Sequence, residues 1–258
     1  MTIHTEKRGA VAWVTFDRPD ARNAFTHEMY TLLGEICADL GGDDSVRVVV
    51  FQGKGNEAFV SGSDIRGVGE IRTVSDALAY ETHIEQGIGG VERLPKPTIA
   101  LIRGVAAGGG AAIALACDIR IAADNARFGV PIARTVGNTL SLRNVARMIQ
   151  VVGAAMTKEL LLTGRLATAV EAQAAGAFND VVPLDQIEAH VTALADRLSQ
   201  NAPLTIRATK LAVLRVLETE RERLGVGEDI LALAYGSEDF REGVAAFLEK
   251  RAPVWKGR

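Results

Sequence analysis

The order of patterns along this chain predicts an α/β fold with a helical C-terminal region, and three observations carry that prediction. Apolar strands and amphipathic helices alternate up to about residue 183. From Leu184 onward only helical patterns remain. In the middle, residues 98–124 pass from a short apolar strand through a run of glycines into a helix of small apolar residues. This order divides the chain into a core over 1–183 and a helical region over 184–258. A length of 258 residues suits one large domain, or a domain with a small appendage.

Each element has its own signal. Val11, Trp13 and Val14 begin a strand that stops at Arg18-Pro19, and Asp20-Ala21-Arg22-Asn23 is a turn. Thr26 is placed to cap a helix on which Met29, Leu32, Leu33, Ile36, Cys37 and Leu40 recur at helical spacing, and Gly41-Gly42 ends it. Residues 46–51 are nearly all apolar, as in a strand buried on both faces. Phe59-Val60 is a stub of strand running into Ser61-Gly62-Ser63-Asp64. A helix over 75–94 is stopped by Pro95 and Pro97. Ile99, Leu101 and Ile102 form a strand broken by Gly104; Gly108, Gly109 and Gly110 then open a helix over 111–116. Residues 128–131 are extended, helices follow near 139–152, 154–163 and 168–175, and Val181-Val182 is a last short strand. Beyond it, Ile187, Val191, Leu194 and Leu198 share one helical face, Pro203 opens a long helix, and residues 240–247 form another. No repeat of fixed period is visible.

Composition narrows the function. With 48% hydrophobic and 24% charged residues and a net charge of -3, the chain reads as an ordinary soluble protein. That balance argues against nucleic acid or an anionic membrane as the main partner. No apolar run is long enough to span a bilayer, and Met1 to Lys7 lacks an apolar signal core, so a cytoplasmic location is expected. Cys37 and Cys117 sit in apolar contexts and read as reduced core residues. The four scattered histidines have no ligand spacing, which argues against a metal site.

The common cofactor and nucleophile loops are absent. No GxxxxGK[ST] loop occurs, the glycine run fails GxGxxG at Ile113, and no GxSxG elbow supports Ser61 or Ser63 as a triad serine. Their plain role is turn and capping chemistry, with Ser63 or Asp64 capping the next helix. That leaves two backbone-exposing turns, 61–64 and 108–110, each after a strand and before a helix. Glycines there serve close helix packing or expose N–H groups to an anion, and the sequence weighs the two about equally. If the fold joins the turns, they offer two N–H donors to one carbonyl oxygen.

Four segments resemble the enoyl-CoA hydratase/isomerase (crotonase) superfamily. They are Arg18-Pro19-Asp20-Ala21-Arg22-Asn23-Ala24; residues 58–65 with Ser61-Gly62-Ser63-Asp64-Ile65; Lys96-Pro97 through Gly108-Gly109-Gly110 to Cys117-Asp118; and residues 242–253 ending in Lys250-Arg251-Ala252-Pro253. They occur in the family's order and cover the chain almost end to end. The resemblance implies a spiral of ββα units followed by a helical trimerisation region, assembled as a homotrimer or homohexamer. It implies an acyl-CoA thioester as substrate, with coenzyme A as part of that substrate and no separate cofactor. The two oxyanion N–H groups of the family map onto Ser63, where Ala is common, and onto Gly109 beside Gly108. Ser61, Asp64 and Ile65 map to the lining of the CoA arm, and Ala21 and Arg22 to the segment at its adenosine end.

Two departures stand out. The family's hydratase glutamates map onto Ala112 and Ile132, so both carboxylates are absent. The resemblance therefore implies a hydratase-like enzyme in which proton transfer comes from elsewhere or is slow. The alternatives are a thioester hydrolase or other non-hydratase member, or a non-catalytic acyl-CoA-binding protein. Among replacements, Arg134 pairs either with an acidic acyl group or with a structural carboxylate, and the second is commoner. Asn138 bonds an acyl oxygen or, more commonly after a glycine, holds a turn. His83 and Glu85 lie on the helix after the first turn, where some members carry an acid or base. Tyr80 and Glu81 share that helix and are expected on its solvated face.

Overall fold

In the computed structural model, residues 2–222, 224 and 227–258 are described. The chain opens with a hairpin, β1 (Ile3–Arg8) and β2 (Val11–Phe16), turned at Gly9 with φ 60°. Strand β1 is an exposed edge whose residues after Ile3 are all polar, so its sequence carries no apolar alternation. Thr26 caps α1 (His27–Gly42) by accepting from the Met29 N–H. Helix α1 runs through Gly41 and Gly42 before it stops.

Three strand–strand–helix units come next. The first is β3 (Val48–Gly53), β4 (Ala58–Val60), the short α2 (Ile65–Val68) and α3 (Val74–Arg93), which a Thr73–Asp76 capping box starts. The second is β5 (Thr98–Ile102), β6 (Val105–Ala107) and α4 (Gly109–Ala116). The third is β7 (Ile119–Ala123), β8 (Arg127–Gly129), the single turn α5 (Ile132–Thr135) and α6 (Leu142–Thr163). Gly153, at φ 71°, divides α6 into the two helices expected there. In each unit the first strand joins one sheet and the second strand joins another. The units begin at Val48, Thr98 and Ile119, and these unequal steps leave no period to find in the sequence.

The remaining elements are β9 (Ala167–Thr168), α7 (Ala169–Ala174), β10 (Asp180–Val182), α8 (Ile187–Ser199), α9 (Pro203–Glu222), α10 (Glu228–Tyr235) and α11 (Glu238–Leu248). The larger sheet runs β1-β2-β3-β5-β7-β10, parallel except for the β1–β2 pair. The smaller runs β4-β6-β8-β9, with only β9 antiparallel. One face of the larger sheet packs on α1, α3 and α4 around Phe16, Phe25, Leu33, Phe51 and Ile88. The other face is covered by Ile187, Val191 and Ala195 of α8. A smaller cluster joins Val68, Ala77 and Val136 to Leu231, Tyr235, Phe240 and Val244 of the last helices. Cys37 and Cys117 are buried and unbridged. Among the described residues, no helix is long and apolar enough to cross a membrane.

Candidate active site

Residues 61–64 follow β4, residues 108–109 follow β6, and residues 130–132 follow β8. These strands lie side by side and parallel, so their C-terminal ends form one row. Loops leaving such a row are where open α/β folds gather ligands.

The two corners touch. A Cβ built on Gly108 would stand 3.6 Å from the Gly62 Cα, and one on Gly109 would stand 3.4 Å from the Ser63 Oγ. Gly108 takes φ 54°, which turns the chain into α4 and favours glycine. Gly110 serves packing, because a Cβ there would fall 2.1 Å from the Val60 carbonyl oxygen. Of the two uses of the glycine run, close packing is thus seen at Gly110. Among the described residues, no hydrogen-bond partner is found for the Ser63 or Gly109 N–H. Their neighbours are paired: Ser61 N–H donates to Arg22 O at 3.1 Å, Asp64 N–H to Phe25 O at 2.7 Å and Gly108 N–H to Gly129 O at 3.0 Å.

Hydroxyl groups surround this corner. The Tyr30 and Ser63 hydroxyls are 2.9 Å apart, and a Cβ on Gly109 would lie 2.1 Å from the Tyr30 oxygen. Tyr30 is 1% exposed, and its ring packs on Phe25 with centroids 5.0 Å apart. Burial pushes its phenol well above the usual range, against the pull of the Ser63 hydrogen bond. Tyr80 also places its hydroxyl beside Ser63, and burial raises its phenol too. The sequence hid Tyr30 among the apolar positions of α1. Tyr80 and Glu81, expected on a solvated face, are instead turned inward, because α10 and the loop before α6 cover that side of α3.

The turn before α1 is fixed by Asn23, a residue that the sequence showed only as part of a turn. Buried at φ 56°, it accepts from Arg18 N–H at 3.0 Å and donates to Lys54 O at 3.1 Å and Ala58 O at 2.7 Å. Ala21 and Arg22 reach the first corner through this turn, since the Ser61 hydroxyl donates to Ala21 O at 3.4 Å. The Arg22 side chain is exposed, 3.8 Å from Glu57. Asp64 caps α2 and holds Arg66 at 2.7 Å and Arg18 at 3.1 Å; the Arg66 pairing above all keeps its carboxyl far below the usual range. Ile65 packs against the smaller cluster.

Other candidates are engaged elsewhere. Arg134 is exposed, and its Cβ packs over Gly164 at the end of α6. His83 stacks on His27 with centroids 3.5 Å apart and has its Nε2 2.9 Å from the His27 carbonyl oxygen. Glu85 is bound by Arg147 at 2.8 Å and Arg143 at 2.9 Å, in a network where Arg147 and Arg221 also clasp Glu92. Asn138 donates to the Tyr235 hydroxyl at 3.0 Å. Ala112 is buried one turn into α4, and Ile132 packs against the main core, so neither position brings a carboxylate to the row. Among the described residues, no group of His, Cys, Asp and Glu is arranged to hold a metal.

A spiral of ββα units with helices appended at its end is the crotonase architecture. The chain matches the family model described as enoyl-CoA hydratase/isomerase over residues 6–258, and it belongs to that family. It is 32% identical to the short-chain-enoyl-CoA hydratase of Clostridium acetobutylicum, covering 95% of this chain and 94% of that protein. Among solved structures it resembles an enoyl-CoA hydratase/carnithine racemase from Magnetospirillum magneticum, with a TM-score of 0.81 and 35% identity over 100% of this chain and 96% of that one. It also resembles a methylmalonyl-CoA decarboxylase in complex with 2-nitronate-propionyl-CoA, with a TM-score of 0.89 and 27% identity over 100% and 99% of the two chains.

Proposed function

We propose that this chain is an acyl-CoA-binding, enoyl-CoA hydratase-like enzyme in which the Ser63 and Gly109 N–H groups hold the thioester oxygen. One observation carries the reading: the two corners abut, and among the described residues both amides are unpaired. Donors fixed before the substrate arrives stabilise an enolate or oxyanion without reorganising, and one such donor contributes roughly 2.7–4 kcal/mol. Polarising the thioester draws electrons from a conjugated double bond, so water adds at the β-carbon and a proton is delivered to the α-carbon. With Ala112 and Ile132 in the carboxylate positions, the protic groups beside the corner are the Ser63, Tyr30 and Tyr80 hydroxyls. Losing general acid–base help costs ~10²–10⁴-fold, so hydration is expected to be slow for the family.

In this reading Ser61, Asp64 and Ile65 line the CoA arm, and Ala21 and Arg22 lie at its outer end. Coenzyme A arrives with the substrate and no resident cofactor is needed. Leu204, Leu211, Val213 and Val216 of α9 are exposed, which supports a trimer or hexamer that covers them. The location is taken as cytoplasmic.

A second reading is favoured by the same missing carboxylates. Decarboxylation of a malonyl-type thioester breaks the bond from the α-carbon to the carboxylate; the electron pair becomes the enolate, CO₂ leaves, and a proton from water adds to the α-carbon. That step needs the oxyanion donors and no carboxylate base, and the likeness to the decarboxylase supports it. Mass spectrometry of products from crotonyl-CoA and methylmalonyl-CoA separates the readings: hydration adds water, decarboxylation loses CO₂, and hydrolysis frees CoA. Hydrated crotonyl-CoA supports the first. Binding without any turnover favours a non-catalytic role, and failure to bind any thioester overturns the proposal.

A further inference from the structure

We infer that the Ser63 hydroxyl is a third donor to the thioester oxygen, and that Tyr30 is the positioning residue that aims it. The inference rests on the acyl-CoA reading above, in which the Ser63 and Gly109 amides hold that oxygen. Ser63 is tied to the segment before α1 by a parallel bridge to Phe25: Phe25 N–H donates to Gly62 O at 2.9 Å, and Asp64 N–H donates to Phe25 O at 2.7 Å. Such a bridge uses the residues on either side of Ser63, so its own N–H faces the opposite edge. The Ser63 Oγ lies toward the second corner, 3.4 Å from a Cβ built on Gly109. Ser63, Gly108 and Gly109 are half-buried, whereas Gly62 and Gly110 are buried. The hydroxyl therefore stands between its own amide and the second corner, on the side where the corners meet solvent.

The direction of one hydrogen bond makes this hydroxyl a donor. The Tyr30 and Ser63 oxygens are 2.9 Å apart, and among the described residues no other acceptor is found for the Tyr30 hydroxyl. Tyr30 is buried, and a buried phenol proton left unpaired is costly. Tyr30 therefore donates and Ser63 accepts. Tyr80, whose hydroxyl also lies beside Ser63, can do the same, since a hydroxyl oxygen accepts twice. The proton of Ser63 itself is left over, and the half-buried side of the corner is where it points. Tyr30 cannot turn away. Its ring packs on Phe25, and Gly87 of α3 lies so close that a Cβ there would fall 2.6 Å from the Tyr30 carbonyl oxygen. A donor aimed in advance needs no reorganisation when negative charge develops on the thioester oxygen. No proton leaves either hydroxyl in this role. With Ala112 and Ile132 in the carboxylate positions, the third donor strengthens the one device the site retains, stabilisation of the enolate.

The test follows the near-ultraviolet enolate band of protein-bound acetoacetyl-CoA against pH. Donors to the thioester oxygen lower the midpoint of enolisation below that of the free thioester. Ser63→Ala keeps the backbone N–H and removes the hydroxyl. It is expected to raise the bound midpoint by about one to two pH units, a 10- to 100-fold loss of enolate. Tyr30→Phe leaves the Ser63 hydroxyl unaimed and should raise the midpoint by less. The double variant should match Ser63→Ala alone, because Tyr30 acts through Ser63. S-butyl-CoA, a thioether without the carbonyl, should bind all four proteins equally; weaker binding to Ser63→Ala would make the role structural and overturn the inference. If Tyr30→Phe does not fold, Ser63→Ala decides. A lowered wild-type midpoint that Ser63→Ala leaves in place overturns the third donor, and a Tyr30→Phe shift that persists in the Ser63→Ala background overturns the positioning role. Both results leave the acyl-CoA reading intact. A bound midpoint no lower than the free one overturns the paired amides as well, and failure to bind either ligand overturns the acyl-CoA reading itself.

Discussion

Replacing Gly109 by alanine tests how the two corners are held together. The new Cβ would lie 2.1 Å from the Tyr30 hydroxyl oxygen, a distance no real contact shows, and 3.4 Å from both the Tyr30 ring carbon Cζ and the Ser63 Oγ. The only severe conflict is therefore with one oxygen atom. That oxygen is the end of a rigid, buried ring packed on Phe25, so it cannot swing away as a lysine tip would. Relief requires about 1 Å of movement by the ring or by α4, in a core that transmits such shifts. Overpacking of this kind costs about 1–3 kcal/mol. Moving Tyr30 also disturbs its 2.9 Å hydrogen bond to Ser63, which sets the first corner. On the proposed reading, loss of the Ser63 donor lowers kcat by about 10²–10³-fold.

Tyr30→Phe removes the conflicting oxygen and leaves contacts of 3.4 Å. By itself it costs about 1 kcal/mol, the worth of a lost buried hydrogen bond. In the Tyr30→Phe background, Gly109→Ala should then cost almost nothing in stability. The cycle is read from urea midpoints of the four proteins and from melting temperatures, where 1 kcal/mol corresponds to about 2–4 °C in a domain of this size. The expected coupling is about 1–3 kcal/mol, with the double variant more stable than the sum of the singles. Equal penalties for Gly109→Ala in both backgrounds would refute the proposed contact between Tyr30 and the second corner.

Away from the corners, Asn23→Ala deletes three hydrogen bonds at a buried, left-handed position and should cost about 2–4 kcal/mol in urea denaturation, while loosening the segment carrying Ala21 and Arg22. Burial opposes ionisation of Glu92, but Arg147 and Arg221 outweigh it and hold its carboxyl at about 2. Because the folded value is depressed, its contribution is present above the unfolded value near ~4.3 and is lost as pH falls toward the folded one; Glu92→Gln should flatten that acid limb of stability against pH. Glu81 has the opposite sign: burial, ahead of the Tyr235 and Ser141 hydrogen bonds, raises its carboxyl, so stability declines as pH rises from about 4.3 toward the folded value. Glu81→Gln, fixed in the neutral form, should remove that decline in urea midpoints taken across the range.

Much of the fold was legible because its signals are local. Thr26 before an apolar period of 3.6, prolines after residue 94 and the all-apolar 48–51 each announce one element without reference to any other. Strand β1 was silent because an exposed edge needs no apolar face, and β6 because the three residues 105–107 lie between glycines. At the site, the backbone corners were legible for a related reason: glycine at Gly108 and Gly110 is demanded by a positive φ and by a carbonyl 2.1 Å away, and such demands fix the residue type. Side-chain partners carried no comparable signal. Tyr30 occupies a core position where a phenol reads like any other large apolar residue, and its hydroxyl matters only once α1 is laid beside Ser63, a residue distant in sequence. Glu81 reads as an ordinary helical carboxylate until Tyr235 arrives from a helix beyond residue 227 to cover it. A polar residue on an apolar face is thus a sign of either error or function that sequence cannot separate. In this chain two such residues stand at different places, Tyr30 with its hydroxyl 2.9 Å from that of Ser63 and Glu81 with its carboxylate 2.8 Å from the Tyr235 hydroxyl, and only the first lies at the corner, which is why the Tyr30 hydroxyl is the group to mutate first.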